Sequence, residues 1–339
     1  MKRPTMADIA LRAGVSKVAV SYALNDLPGV SDATRAAIKG IAEELGWRPS
    51  SAARALTGGR AQAVGLTVRR PARTLGVEPF FMEFISGVES VLSEHSYALM
   101  LQMVATQDSE IELCRRWWGE RRVDGVFLID LQAQDARLAA VESLGLPAVV
   151  VGPPSASGSL PAIWSDDGES VHEIVRYLAA LGHGRIARVA GPADLAHTMI
   201  RDEALSDACR QAGVPEATVV HTDYTGDAGA RAARSLLIAP QRPTAIVFDN
   251  NIMAVAALSV AQELGLSIPA DLSIVAWDES ALTQVVRPVL SALTRDIPAY
   301  GARAATALLS LIAGEEVDDI REGYARLVPR GSTCPPPAE

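Results

Sequence analysis

Cysteine is scarce in this 339-residue chain: Cys114, Cys209 and Cys334 lie far apart, odd in number and without a CxxC spacing. That excludes a disulfide framework and a zinc cage, and free thiols suit a reducing compartment. Long apolar runs are missing too. The longest stretch without charge, Ser143 to Ser165, carries four prolines and cannot be a membrane-spanning helix. After Met1, Lys2 and Arg3 comes no apolar run of signal-peptide length, so the chain is expected in the cytoplasm. Catalytic signatures are also lacking: there is no HExxH, no phosphate-binding GxxxxGK and no GxSxG. Gly182-His-Gly184-Arg-Ile-Ala187 fits the GxGxxA pattern, but it stands after a helical stretch and before a strand. A dinucleotide loop needs the reverse order, because the pyrophosphate rests on a helix N-terminus, so the stretch is read as a helix-to-strand turn. His172, His183, His197 and His221 have no metal-ligand spacing. The expectation is therefore no enzyme, no cofactor and no metal.

Lysine is the scarcest cation, and its placement is informative. All three, Lys2, Lys17 and Lys39, fall within the first 39 residues, and the rest of the chain uses only arginine. The formal charge of −9 splits into +4 over residues 1 to 60 and −13 over the remainder. A basic head on an acidic body suggests a polyanion partner at one end. Disorder is excluded by an apolar fraction of 49 %.

The head reads as three short helices. Thr5-Met-Ala-Asp8 is a capping box that opens a helix with Met6, Ile9, Ala10 and Ala13 on one face, stopped by Gly14. Ser16 caps a second helix running to about Asn25, and Leu27-Pro-Gly29 is a turn. Val30-Ser31 opens a third, with Ala37, Ile38, Ile41, Ala42 and Leu45 as its buried stripe until Gly46. Two helices joined by a tight glycine turn are the pattern of a helix-turn-helix, which an αα-hairpin in any helical bundle can mimic. From about Ala61 β-branched runs alternate with Ala- and Leu-rich stretches. Ala63 to Val68, Ala98 to Val104, Gly125 to Ile129, Ala148 to Val151, Ile186 to Ala190, Ala245 to Phe248 and Leu272 to Ala276 are the strand candidates. Near-continuous apolar strands separated by helices predict parallel sheets covered on both faces, and roughly 270 residues of this texture predict two doubly wound α/β lobes with a cleft between them.

Ala10-x-x-Ala-Gly-Val-Ser16, Val30-Ser31-x-x-Thr34-Arg35, Glu44-Leu-Gly-Trp-Arg-Pro49 and Ala52-Ala-Arg-Ala-Leu56 together resemble the lactose-repressor (LacI/GalR) family of bacterial transcription regulators. The resemblance continues with Pro79-Phe-Phe81, Arg122-Val-Asp-Gly125, Leu181-Gly-His183, Asn250, Ser273-Ile-Val-Ala-Trp-Asp278 and Arg330-Gly-Ser-Thr333. It implies a helix-turn-helix head over residues 1–48, a hinge linker over 49–60 and a periplasmic-binding-protein-like core over 61–331. The first lobe would take about 61–161 and 293–322, the second about 162–292 and 323–331, leaving 332–339 as a disordered tail. The implied protein is a homodimeric, nucleoid-associated repressor whose affinity for a pseudo-palindromic operator is set by a sugar or sugar derivative in the cleft. The alternative is a sugar-binding protein with a non-functional head.

Residue by residue, the resemblance places Thr5, Ser16, Ser21, Asn25, Ser31, Thr34 and Ala53 on DNA, with Ser16, Ser21, Asn25, Ser31 and Thr34 at phosphates, a role that short hydroxyl and amide donors suit. Lys17 and Val18 stand at reading positions. Tyr22 replaces the family's usual Arg and Ala19 its usual Thr, so the operator should differ, since tyrosine cannot make a bidentate guanine contact. Leu56 matches a leucine that wedges between base pairs from the minor groove. Phe80, Arg201, Tyr224, Asn250, Asp278 and Arg295 match effector-contacting positions at the carboxyl edges of the strands. Glu78, Asn251 and Ala276 depart from the family's Asn, Asp and Gly. Two arginines in one cleft suggest an acidic sugar or sugar phosphate. An ion pair between Asp278 and an arginine is the competing reading.

Overall fold

The computed structural model describes residues 4–48, 59–70 and 78–337. It divides into two compact units, residues 1–61 and 62–339. The smaller holds α1 (Met6–Ala13), α2 (Lys17–Leu24) and α3 (Asp32–Glu44). Each helix starts where a side chain satisfies a free backbone donor or its own cap. The N–H and hydroxyl of Thr5 both donate to Asp8, at 2.7 and 2.6 Å. Ser16 Oγ accepts from the Ala19 N–H at 3.1 Å, and Ser31 Oγ from the Thr34 N–H at 3.3 Å. Ile9, Ala10, Val20, Ala23, Ile38 and Ala42 form the core, flanked by partly buried Ile41, Leu45 and Trp47. Ala37 and Met6 are exposed against expectation, since three short helices cannot cover the full width of either stripe. The guanidinium of Arg35 donates to the carbonyls of Tyr22, Ala23 and Leu27 at 3.1, 3.2 and 2.8 Å. It thereby closes the C-terminal end of α2, where helical carbonyls lack partners. Of the expected hinge linker, residues 49–58, with Ala53 and Leu56, lie outside the described residues.

The larger unit runs β1 (Ala63–Val68), α4 (Pro79–Glu94), β2 (Ala98–Met103), α5 (Gln107–Gly119), β3 (Gly125–Ile129), α6 (Ala136–Leu144), β4 (Ala148–Val151), β5 (Ala162–Trp164), α7 (Asp167–Ala180), β6 (Arg185–Ala190), α8 (Ala196–Ala212) and β7 (Glu216–His221). It continues through α9 (Gly226–Leu237), β8 (Ala245–Phe248), α10 (Asn251–Glu263), β9 (Ser273–Ala276), α11 (Ala281–Val285), β10 (Ser291–Thr294), α12 (Ile297–Ala313), β11 (Ile320–Arg321) and β12 (Arg326–Val328). Two six-stranded sheets result, β11-β5-β4-β3-β1-β2 and β12-β10-β9-β8-β6-β7. Pairing is parallel except for β12, which runs antiparallel to β10. β1, β3, β4, β8 and β9 are buried on both faces, which is why they read as unbroken apolar runs.

The chain crosses between the lobes three times. Ala162 pairs with Val150, so the first crossing falls after Trp164, not at 161. Ser291 and Ala292 pair with β9, which puts the second after Thr294, not at 293. The third lies between Arg321 and Arg326. The expected disordered tail also needs correction at its start. Ser332 is fully buried; its hydroxyl donates to the Ile274 carbonyl at 2.6 Å and accepts from the Ser291 N–H at 2.8 Å. The Cys334 N–H donates to Ser273 Oγ at 3.1 Å. Residues 332–334 thus satisfy polar groups of β9 and β10 that burial would otherwise leave unpaired.

α4 and α12 cross at glycines. A Cβ on Gly87 would lie 1.8 Å from the Pro298 carbonyl oxygen, and one on Gly301 2.2 Å from that of Phe84. Only paired glycines let the two backbones approach this closely. That contact fixes the N-terminal ends of both helices, which carry Phe80 and Tyr300 to the cleft.

Candidate functional site

On α2, Lys17, Val18, Tyr22 and the C-capping Asn25 are exposed, and Ser21 is half-buried. Their spacing places them along one side of the helix, opposite buried Val20 and Ala23. Val18 is 60 % exposed, which is unusual for a valine and suits a contact surface. Tyr22 is held from behind: its Cδ2 lies 3.3 Å from where a Cβ on Gly29 would be. The Asn25 amide donates to the Ser21 carbonyl at 2.8 Å. Thr5, Ser16, Ser31 and Thr34 all sit at helix N-termini, where backbone N–H groups face outward toward any anion. Their hydroxyls also serve as caps or, in Thr34, bond the neighbouring Ser31 hydroxyl at 2.8 Å.

The six residues expected to meet an effector, Phe80, Arg201, Tyr224, Asn250, Asp278 and Arg295, all line one cleft between the sheets of the larger unit. It encloses about 970 Å³ counting its open mouth. The arginines, however, are not free. Arg295 holds Asp278 through two hydrogen bonds of 3.0 and 3.2 Å. Arg201 binds Asp167 at 2.7 Å, reaches Asp249 at 3.4 Å, and lies flat on the Trp277 ring at 3.6 Å. Burial opposes its charge, but Asp167 and Asp249 outweigh that and hold the guanidinium more firmly protonated than usual. The competing reading of an ion pair between Asp278 and an arginine is thus met, and both arginines on which the expectation of an acidic ligand rested are paired.

Asn250 and Tyr224 also differ from expectation. Asn250 Oδ1 caps α10 by accepting from the Met253 N–H at 2.9 Å, and its amide donates to the Tyr224 carbonyl at 2.9 Å. Both ends of the side chain are committed, so Asn250 positions Tyr224. The tyrosine sits at φ 67, its hydroxyl hydrogen-bonds His197 Nε2 at 2.7 Å, and its ring face carries Arg70 at 4.1 Å. Burial first, then Arg201, pushes His197 down to about 4, so the ring is uncharged near neutral pH. A Cβ on Gly191 would fall 2.0 Å from the Tyr224 ring, so that glycine is required for the ring's seat.

Residues unassigned from the sequence complete the cleft. Arg70 follows β1 and pairs with Asp130, the residue after β3, at 2.8 Å, while its stacking on Tyr224 joins the two lobes. The Ala196 N–H donates to the Leu131 carbonyl at 2.8 Å as a second bridge between them. Trp164 ends β5 and Asp249 follows β8. The rule that parallel sheets bind at their carboxyl edges would have found Asp130 and Asp249. Among the described residues, the lining has buried polar atoms without a hydrogen-bond partner: Glu78 Oε2, Asn251 Oδ1 and Trp277 Nε1. Buried polar groups left open in a cleft mark where a ligand's own donors and acceptors fit.

Among the described residues no group of His, Cys, Asp and Glu could hold a metal, and no helix is long and apolar enough to cross a membrane. Residues 5–50 match the model of the bacterial regulatory proteins of the lacI family, and residues 175–333 that of the periplasmic binding protein-like domain. The chain is 32 % identical to the HTH-type transcriptional repressor CytR of Escherichia coli over 97 % of its own length and 96 % of CytR's. It is 31 % identical to the HTH-type transcriptional regulator CelR of Thermobifida fusca, over 94 % and 95 %. A LacI family regulator from Bifidobacterium animalis superposes with a TM-score of 0.76 at 36 % identity, covering 83 % of this chain and all of that one. The lac repressor dimer on its operator gives 0.84 at 24 % identity over 98 % and 100 %, a likeness of fold. Such identity over nearly the full length of two regulators, carried by a capped three-helix head and a two-lobed core, makes the chain a member of the lacI family: a helix-turn-helix transcriptional regulator under allosteric control.

Proposed function

We propose that the protein is a repressor that reads its operator with Lys17, Val18 and Tyr22 and is released from it, or fastened to it, by a sugar without an acidic group. Lys17 suits a guanine edge or a phosphate, Val18 a thymine methyl, and Tyr22 a single hydrogen bond or a base face. Thr5, Ser16, Ser21, Asn25, Ser31 and Thr34 take phosphates, and Ala53 and Leu56 the minor groove beyond them. The reading of the effector rests chiefly on one observation: every arginine lining the cleft is already paired with a carboxylate, while Glu78 Oε2, Asn251 Oδ1 and Trp277 Nε1 stand open. Two acceptors and a donor among the aromatic faces of Phe80, Trp164 and Trp277 suit a polyhydroxylated ring. A solved relative is a complex of the regulator CelR with cellobiose, which covers 97 % of this chain at 29 % identity, with a TM-score of 0.73.

Control then follows from the two lobes. A ligand that binds one lobe arrangement better shifts the population toward it, and operator affinity changes with it. The coupling for such systems is roughly 1–3 kcal/mol, about 5- to 150-fold in affinity. Calorimetry with uncharged and amine-bearing sugars against uronic acids and sugar phosphates tests the proposal. Tight binding confined to the non-acidic sugars is expected; tighter binding of the acidic ones contradicts it.

A further inference from the structure

Glu78 stands where the resemblance leads one to expect asparagine, and among the described residues it is the acid of the cleft without an ion pair of its own. It is the N-cap residue of α4, is 8 % exposed, and its Oε2 is buried without a partner. The other carboxylates of the lining are each held: Asp130 by Arg70, Asp278 by Arg295, Asp167 by Arg201, Asp249 by Arg188 and Asp166 by Arg321. The groups that act on Glu78 are Arg70, Asp130, Asp278 and the Asn250 amide. Nearby Glu83, on the same helix, is itself held up by burial and by Asp278. With Arg70 and Arg295 set against Glu78, Asp130 and Asp278, the corner lacks one positive charge.

Three kinds of ligand group can be set against that corner. A carboxylate or phosphate adds to the surplus negative charge. A hydroxyl satisfies Oε2 and leaves the charge unbalanced. A protonated amine does both, with a charge-assisted hydrogen bond to a buried carboxylate oxygen. We propose that the effector is an amino sugar, or a sugar derivative carrying a protonated amine, and that Glu78 is the residue that selects it. The inference rests on the sugar reading above and narrows it.

In the empty cleft a proton takes the place of the ammonium. Burial, helped by Asp130 and Asp278 and opposed by Arg70, pushes Glu78 up to about 7. Binding an ammonium therefore expels that proton to the solvent. Affinity for the amine rises with pH below about 7, about tenfold per unit, and levels off above it for as long as the amine keeps its own proton. His197, at about 4, stays uncharged over this range and contributes nothing to the slope.

The test is calorimetry on the full chain with glucose, galactose and mannose, their free-amine counterparts glucosamine, galactosamine and mannosamine, and the N-acetylated forms, which keep the nitrogen and lose the charge. At least one free amine is expected to bind about thirtyfold more tightly than its hydroxyl and N-acetyl partners at neutral pH. Glu78→Gln should erase both that preference and its rise with pH. Thermal melts report on folding and on the carboxyl together. A raised carboxyl stabilises the fold below its ordinary value of 4.5 and loses that contribution as pH rises through about 7. Glu78→Gln should therefore melt higher than the parent above neutrality and close to it in acid. A neutral sugar binding as tightly as its amine overturns the inference and leaves the sugar reading standing. Failure of every sugar to bind in any form overturns both.

Discussion

Asp249→Ala should destabilise the two-lobed core by about 3 kcal/mol, lowering its melting temperature by roughly 10 °C. Asp249 has no exposed side-chain surface and accepts from Arg188 at 2.7 and 2.5 Å, with Arg188 itself 1 % exposed. It also faces Arg201 at 3.4 Å and accepts from the Gly191 N–H at 3.4 Å. Burial raises the carboxyl, but Arg188 and Arg201 outweigh that and hold it below the usual carboxylate range. Removing it leaves two buried guanidinium groups short of a partner. The loss stays near the lower end for a broken buried pair, because Arg188 keeps Asp202 and Arg201 keeps Asp167. Replacing Arg188 and Asp249 together by leucine should recover part of the loss, since no unpaired charge then remains at that position. Differential scanning calorimetry of the single and double variants decides it, and a single variant that melts with the parent refutes the assignment.

Asp278→Asn should weaken sugar binding about a hundredfold. The side chain sits at the carboxyl end of β9, and its two oxygens take the Nε and Nη2 of Arg295 side by side. Arg295 lies 5.3 Å from the Phe80 ring, so the pair holds a guanidinium against an aromatic wall of the cleft. An asparagine keeps the shape and loses the charge and one acceptor, so Arg295 is freed to swing into the space a sugar would fill. Calorimetry with the sugar that binds the parent best measures the change. An affinity within about twofold of the parent would place the ion pair outside the binding surface, since losing a good charged hydrogen bond costs more than that.

Much of the fold was legible from the sequence because its signals are local. Ala63–Val68, Gly125–Ile129, Ala148–Val151 and Ala245–Phe248 are strands with the bounds expected from their apolar runs. Thr5, Ser16 and Ser31 start helices where their side chains can cap them. The strands without such signals were not found. β5 has three residues, β11 two, and β10 is the short mixed run Ser-Ala-Leu-Thr, whose Ser291 bonds Ser332 and Thr333. All six cleft residues carried over by resemblance do reach one cleft, yet the sequence could not show that the arginines arrive already paired. Pairing is a tertiary fact: Asp167 and Arg201 stand 34 residues apart, and Asp249 and Arg188 stand 61 apart. The same holds for Glu78, where composition offers an acid and only packing shows that its Oε2 is left buried without a partner.

The −9 of the whole chain would argue against a nucleic-acid partner if the charge were evenly spread. It is not: the lysines and the +4 lie in the head and linker, and the −13 lies in the core. An acidic core repelled by phosphate confines contact to the basic end and so favours specific docking over general adhesion. The most direct measurement is binding of the full chain to random duplex DNA across a salt series. A working head gives weak binding that falls by about a thousandfold or more between about 50 and 200 mM salt, as Lys17 and its neighbours release counterions from several phosphates. Binding that is absent at every salt concentration, or that does not change with salt, would contradict the account and leave a sugar-binding core with an inert head.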